Sequence, residues 1–66
     1  MNLWRLQYEM RKKRISCRKL AGMIGCDSFR LRKKLSGKVE FTLLEIRLIS
    51  DALELDKRMI MSIFFS

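Results

Sequence analysis

The stretch SCRKLAGMIGCDSFRLRKKLSG, residues 16–37, decides the fold of this 66-residue chain. Its apolar residues recur three and four positions apart, which is the spacing of one helix face. The pattern predicts a short helix over Cys17–Ile24 and a second over Ser28–Leu35. Gly25 and Gly37 follow the last apolar position of these helices, where a left-handed residue often ends a helix. Two short helices joined by a tight turn therefore form the centre of the chain.

Helix starts follow one rule at four places in the chain. A capping side chain is preceded by an apolar residue that pairs with the fourth residue of the helix. The caps are Ser16, Asp27, Thr42 and Asp56, and Glu45 completes a capping box with Thr42. With a first helix ahead of them, the predicted helices are Asn2–Lys13, Cys17–Ile24, Ser28–Leu35, Leu43–Leu53 and Lys57–Phe64. The predicted fold class is all-α, a compact five-helix bundle in one domain, residues 1–66.

The candidate core is the apolar stripe of each predicted helix. A chain of this length removes only about 60% of its surface from water on folding, so its core is small. Dimerisation would add buried surface to such a fold. The residues expected to face inward are Leu3, Leu6, Met10, Leu20, Ala21, Ile24, Leu31, Leu35, Ile46, Ile49, Leu53, Ile60, Ile63 and Phe64.

The charge is divided unequally along the chain. Lys and Arg number 15 against 7 Asp and Glu, a formal net charge of +8. Residues 1–38 hold 12 basic and 2 acidic side chains, a net charge of +10, whereas residues 39–66 hold 3 and 5, a net charge of −2. A positive charge confined to one part of a chain is typical of proteins that bind nucleic acids or anionic membranes.

Several function classes find no support in the sequence. The chain has no His, no Gly-rich phosphate loop and no Ser/His/Asp set, so we expect no enzyme activity, metal, cofactor or small-molecule substrate. No apolar run approaches the roughly 20 residues of a membrane span. Cys17 and Cys26 would lie roughly 12 Å apart along a helix axis, beyond the about 7 Å limit of a disulfide. Free thiols suit a reducing cytoplasm.

The helix Ser28–Leu35 carries a strongly basic outer face. On a helical wheel Lys33 lies opposite the apolar side, with Phe29 one turn earlier. Arg30, Arg32 and Lys34 add charge to the exposed surface. Arg and Lys side chains bind phosphates and the acceptor atoms of guanine, so this helix is suited to the major groove of DNA. A charge run on a short helix is, alternatively, only a solvated surface.

Residues across the chain resemble the Cro and phage-repressor-like helix-turn-helix family, also described as lambda-repressor-like or XRE-type. The resemblance extends from about Leu6 to Phe65. It implies a bundle of about five helices that reads DNA with its second and third helices and usually binds as a dimer. The matching residues are Ile15–Ser16, Leu20–Ala21, Met23–Ile24–Gly25, Leu31, Lys34–Leu35–Ser36–Gly37–Lys38, Phe41–Thr42–Leu43 and Glu45.

The resemblance also implies a set of DNA contacts. It places Arg14 and Glu54 where family members often have Gly, and Arg14 would need an unfavourable backbone conformation or a shifted turn. The cluster Arg11–Arg14 adds general phosphate attraction. The base-contacting positions are Ser28, Phe29, Arg32 and Lys33. The backbone-contacting positions are Ser16, Cys17, Arg18, Arg30, Ser36 and Lys38.

The last two helices carry more apolar residues than a small core needs. Large exposed apolar patches usually have partners, so a dimer interface is expected here. Tilted helices that merely cover the core are the alternative. The interface residues would be Leu44, Leu48, Met59, Met61 and Phe65.

The sequence is therefore interpreted as a transcription regulator that binds double-stranded DNA. A homodimer would place its helices 28–35 about 34 Å apart on a palindromic operator. The resemblance suggests a phage or mobile-element repressor in the cytoplasm of a bacterial host, on the nucleoid. The alternative is a protein-interaction module on a helix-turn-helix scaffold, such as an inhibitor of a nucleic-acid enzyme. A membrane binder is disfavoured because the basic and apolar residues fall in opposite halves of the chain.

Overall fold

A computed structural model describes residues 1–65, which contain five helices and no strand. Helix α2 packs against both α3 and α4, and α1 packs against α5. The Cα radius of gyration is 10.5 Å, so the helices form a compact all-α fold as expected. The helices are α1 (Leu3–Lys12), α2 (Cys17–Ile24), α3 (Ser28–Leu35), α4 (Leu43–Ala52) and α5 (Lys57–Phe64).

Every helix begins at a side chain that caps its first backbone N–H groups. The four predicted caps are confirmed; for example, Ser16 Oγ accepts from Lys19 N at 3.1 Å. Asn2 is a fifth cap, so α1 starts one residue later than predicted. The capping box at α4 is complete, since Glu45 Oε1 also accepts from Thr42 N at 2.8 Å. Each cap stabilises its helix by about 1 kcal/mol.

Two helices end on residues other than Gly in the left-handed conformation. Arg14 has φ +57° after α1, and Glu54 has φ +55° after α4. Both turns close with a hydrogen bond to the carbonyl five residues back, Ile15 N to Met10 O and Leu55 N to Ser50 O, each 2.9 Å. The left-handed region costs an L-residue roughly 1–2 kcal/mol. The strained backbone expected at Arg14 is therefore present.

The core draws at least one fully buried side chain from each helix or from the residue that caps its end. Phe41 and Phe64 meet edge to face at 5.8 Å between ring centroids. Of the predicted inward residues, Leu3, Ile24 and Ile60 are half-buried and the remainder are buried. The most deeply buried side chains are Leu6, Leu20, Leu31, Ile49, Leu53 and Ile63.

Two polar side chains lie inside this core. Glu9 is 2% exposed, and its carboxylate oxygens lie 3.9 Å from Arg5 Nε and 3.9 Å from Lys13 Nζ. Lys13 Nζ also donates to the carbonyl of Leu53, which ties the end of α1 to the end of α4. Lys13 is therefore occupied inside the fold and is not the free cation expected of the basic cluster Arg11–Arg14. Ser50 Oγ is buried without a hydrogen-bond partner.

Candidate nucleic-acid interface

Helix α3 is held to the fold by the two leucines expected to anchor it. Leu31 and Leu35 are buried, and α2 packs against α3. The connection between the helices is short because Gly25 ends α2 with φ +73°. Asp27 Oδ1 then accepts from Phe29 N at 2.9 Å and starts α3. Both ends of the turn are thus set by local chemistry, which gives α3 a defined orientation.

The outer side of α3 presents one aromatic ring beneath a cation. Phe29 is 63% exposed, and Lys33 Nζ lies 4.7 Å from the centre of its ring. Arg30 and Arg32 are exposed on either side of this pair. A cation above a ring face is attracted by the ring quadrupole, by about 0.5–1 kcal/mol at exposed sites. The prediction that Phe29 and Lys33 point outward together is confirmed.

Ser28, at the start of α3, is half-buried and linked to α2. Its backbone carbonyl accepts from Cys17 Sγ at 3.6 Å. Cys17 is half-buried at the first position of α2, so its thiol is turned toward α3. This contact joins a predicted base-contacting residue to a predicted backbone-contacting residue and fixes the start of one helix against the start of the other.

Ser36, predicted to contact the DNA backbone, has its hydroxyl engaged within α3. Ser36 Oγ donates to Lys33 O at 2.8 Å. The backbone N–H of Lys38 also donates to Lys33 O, at 3.0 Å. A phosphate oxygen needs a donor, so the Ser36 hydroxyl must rotate away from Lys33 before it can bind one. The exposed ammonium of Lys38 needs no such change.

Lys34 does not belong to the exposed basic face, contrary to the expectation from the helical wheel. Its side chain is 12% exposed and forms an ion pair with Glu45 of α4. Burial alone raises the pKa of the Glu45 carboxyl, but hydrogen bonds from Lys34 and Thr42 outweigh it and hold that pKa below its usual value. The cause of the error is tertiary, since α4 supplies the carboxylate. Lys34 therefore anchors α3 to α4.

Two clefts bring the predicted contact residues together. One, of about 430 Å³, lies between α1, the start of α2 and the end of α3, and Arg11, Ser16, Cys17, Arg32 and Ser36 are among its lining residues. The second is about 320 Å³, beside α3. It is lined by Phe29, Arg32, Lys33, Ser36 and Lys38. Arg18 and Arg30 are exposed on α2 and α3. The two clefts share Arg32 and Ser36 in their linings, and arginines and serine hydroxyls arranged in this way can bind an anionic chain.

The five residues predicted for a dimer interface differ in exposure. Leu44, Met61 and Phe65 are exposed, whereas Leu48 is half-buried. Met59 is half-buried and packs against the core. The apolar surface available on α4 and α5 therefore comes mainly from Leu44, Met61 and Phe65. Leu43, which sequence reasoning left out, is more exposed than any of them and adds to the start of α4.

Sequence reasoning also missed an aromatic pair on α1. Trp4 and Tyr8 lie one helical turn apart, and their rings stack with a 6.3 Å centroid distance and a 12° angle between planes. Both side chains are exposed. The signal was present in the sequence, because residues four apart share a helix face and this face is opposite Leu6.

Residues 1–65 contain neither a metal site nor a membrane-spanning helix. Cys17 and Cys26 are free thiols. Within that range no group of three or more His, Cys, Asp or Glu side chains is arranged to hold a metal ion. The same residues include no helix with the length and apolar character needed to cross a bilayer.

Comparison with known proteins yielded no relative. No family model, curated protein or solved structure matched the chain. The chemistry of the protein's own residues is therefore the basis for inferring its function.

Proposed function

We propose that the protein is a sequence-specific regulator of transcription that binds double-stranded DNA through α2 and α3, acting as a helix-turn-helix. The observation that carries the proposal is the division of α3 into two sides. Leu31 and Leu35 are buried on one side, while Phe29, Arg32 and Lys33 are exposed on the other. A helix fixed in this way offers its cationic side to a ligand at little entropic cost.

The dimensions and chemistry of α3 suit the major groove. An α-helix with its side chains is about 10–12 Å across, and the groove is about 12 Å wide. Arg32 and Lys33 have the donors that bind O6 and N7 of guanine, and the Phe29 ring suits a thymine methyl group. Because Lys33 rests above Phe29, the two side chains would read neighbouring bases as a unit.

Contacts to the phosphate backbone would surround this reading helix. Ser16 and Arg18 lie at the start of α2, Arg30 on α3 and Lys38 beyond its end, all exposed. Each neutralised phosphate releases condensed counterions, so binding would weaken as salt rises. These contacts would set the position of α3 without selecting a sequence.

A homodimer on an inverted repeat completes the proposal. The exposed apolar residues Leu44, Met61 and Phe65 lie in the part of the chain with a net charge of −2. Two such surfaces can pair with little electrostatic repulsion, which leaves both basic regions for DNA. The reading helices would then be about 34 Å apart. The protein would then act as a phage or mobile-element repressor in the bacterial cytoplasm, by blocking or recruiting polymerase.

A second candidate is a protein-interaction module on the same scaffold. The exposure of the apolar Phe29 ring favours it, because an aromatic residue next to a cation is also a frequent protein-binding anchor. This candidate predicts tight binding to a protein and no preference among DNA sequences.

Selection from a random duplex library at physiological salt separates the two candidates. If the protein is a regulator, an inverted repeat should be enriched, and binding to it should be weakened in Lys33→Ala and unchanged in the control Lys57→Ala on α5. Recovery of unrelated duplexes, bound equally by both variants, would overturn the DNA-reading role of α3.

Oligomeric state is tested by sedimentation of the intact chain. Leu44 is exposed, so Leu44→Asp should leave folding unchanged and convert the dimer into a monomer. The wild-type chain sedimenting as a monomer on DNA and in solution would exclude the homodimer, whatever the result of the duplex selection.

A further inference from the structure

The exposed aromatic pair on α1 has no role in the fold or in the proposed DNA interface. Trp4 is 71% exposed and Tyr8 is 46% exposed. Trp4 is the only tryptophan of the chain. Tryptophan is strongly buried on average in proteins, and two large rings held together in solvent stabilise the core little. Their exposure is therefore better explained by a partner than by folding.

The rings lie at the centre of the outward side of α1. On a helical wheel Trp4, Tyr8 and Arg11 fall within about 60° of one another, opposite Leu6. The stripe follows the i, i+4, i+7 spacing with which a helix contacts a partner helix or groove. Since Leu6 and Met10 are buried against the core, the apolar side of α1 is occupied and this outer stripe is what remains.

The surroundings of the rings are positively charged. Arg5, Arg11 and Lys12 are exposed on α1. Glu9 is the one acidic residue of Leu3–Lys12, and it is buried beside Arg5 and Lys13. The outer side of α1 therefore offers an apolar centre with cations around it and no exposed carboxylate of its own. Trp, Tyr and Arg are the residues most often found at binding hot spots.

We propose that Trp4 and Tyr8 form a docking surface for an acidic protein segment that carries at least one large apolar side chain. The apolar side chain would pack on the two rings, and the partner's carboxylates would pair with Arg5, Arg11 and Lys12. Charge complementarity of this kind speeds association and disfavours wrong partners. The site goes beyond DNA binding and does not depend on it.

Other occupants fit this surface less well. A second copy of the chain would bring Arg11 and Lys12 of both copies together, with no exposed carboxylate on α1 to offset them. A helix lying on a bilayer needs a broad apolar side, and α1 has turned that side to the core.

The test is a selection of random peptides displayed on phage against the intact protein, followed by titration of synthetic copies. Enriched peptides should be rich in Asp and Glu and carry an aromatic or aliphatic residue. Titration should shift the fluorescence of Trp4 to shorter wavelength as the ring becomes covered. Enrichment of neutral or basic peptides, or no enrichment at all, would overturn the proposal.

Variants identify the surface that the selected peptides use. Trp4→Ala should weaken binding at least about 10-fold, while Trp4→Phe should keep most of it. Lys12→Glu should weaken binding about 5-fold and reduce its dependence on salt. Leu43→Ala is the matched control, because Leu43 is an equally exposed apolar residue on α4. Equal binding by the wild-type chain and Trp4→Ala would sink the proposal even if the peptides were acidic.

Parallel titrations separate protein from other ligands. The probes are vesicles of phosphatidylserine and phosphatidylcholine, a single-stranded thymidine 20-mer, and a mixed-sequence duplex at low salt. Trp4→Ala should bind all three as the wild-type chain does. A loss confined to vesicles or to either DNA would assign the rings to that ligand and reject the acidic segment. The duplex selection tests α3 and the peptide experiments test α1. If no duplex sequence is enriched, the peptide results still test the docking surface.

Discussion

Helices α1 and α3 are both basic and both carry exposed aromatic residues, yet they present different surfaces. On α3 the ammonium of Lys33 lies over one face of the Phe29 ring, so the helix presents a cation beside its exposed aromatic residue. On α1 the Trp4 ring stacks on Tyr8, so the helix presents an apolar centre with charge at its edges. The same residue types thus produce a surface suited to an anionic polymer and a surface suited to an apolar anchor.

The difference arises from what lies one turn away from each aromatic residue. Lys33 follows Phe29 by four positions, and Tyr8 follows Trp4 by four positions. Neighbours at this spacing share a helix face, so the residue four positions later decides whether an aromatic ring lies beside a cation or beside a second ring. The comparison shows that overall basicity does not specify the ligand of a helix.

The largest effects should come from removing the leucine beneath each surface. Leu6→Ala under α1 and Leu31→Ala under α3 should each lower the free energy of unfolding by about 2–5 kcal/mol, because both side chains are fully buried. Urea denaturation followed by circular dichroism measures the loss. A cost under about 1 kcal/mol at either position would mean that its helix is not anchored by that leucine.

The next largest effect should distinguish the surface of α3 from that of α1 by the ligand that each one binds. Lys33→Ala should lower the affinity for the preferred duplex by about 1–3 kcal/mol if the ammonium contacts a guanine, and should leave the affinity for acidic peptides unchanged. Fluorescence anisotropy with labelled duplex and labelled peptide measures both. Equal losses for the two ligands would show that α1 and α3 belong to one continuous binding surface.

A left-handed arginine follows α1, whereas a left-handed glycine follows α3. Substitutions at these two residues should therefore change the stability of the protein in opposite directions. Arg14→Gly after α1 should stabilise the protein by about 0.5–1 kcal/mol, because it relieves a left-handed arginine at some entropic cost. Gly37→Ala after α3 should destabilise it by about 1 kcal/mol, since φ is +86°, a backbone conformation that strains a residue with a Cβ. Thermal unfolding of the two variants checks the signs.

The smallest effect concerns the ion pair that ties α3 to α4. The pKa of Glu45 is lowered in the folded state, so its contribution is present above the usual carboxyl pKa and is lost as the pH falls through the folded value. Lys34→Met should reduce stability by about 0.5–1 kcal/mol at neutral pH and much less in acid. The loss of stability in Glu45→Gln should depend on pH in the same way. A loss independent of pH would assign the effect of Lys34→Met to packing.

Local signals made most of the fold predictable. Ser16, Asp27, Thr42 and Asp56 cap their helices as expected, because a cap depends on a residue and the backbone two or three positions later. The outward position of Phe29 and Lys33 followed from the helical period, since Leu31 and Leu35 fixed the buried side. Trp4 and Tyr8 were equally readable from their spacing and were overlooked.

Ion pairs and hydrogen bonds between separate helices could not be predicted from the sequence. The basic run around Lys34 predicted a solvated cation, but α4 brings Glu45 to it. Lys13 likewise finds the carbonyl of Leu53, 40 positions away. A local pattern determines which side of a helix is apolar, because periodicity and caps act over a few residues. Which cations stay free is decided only when the helices pack, because ion pairs depend on distances through space.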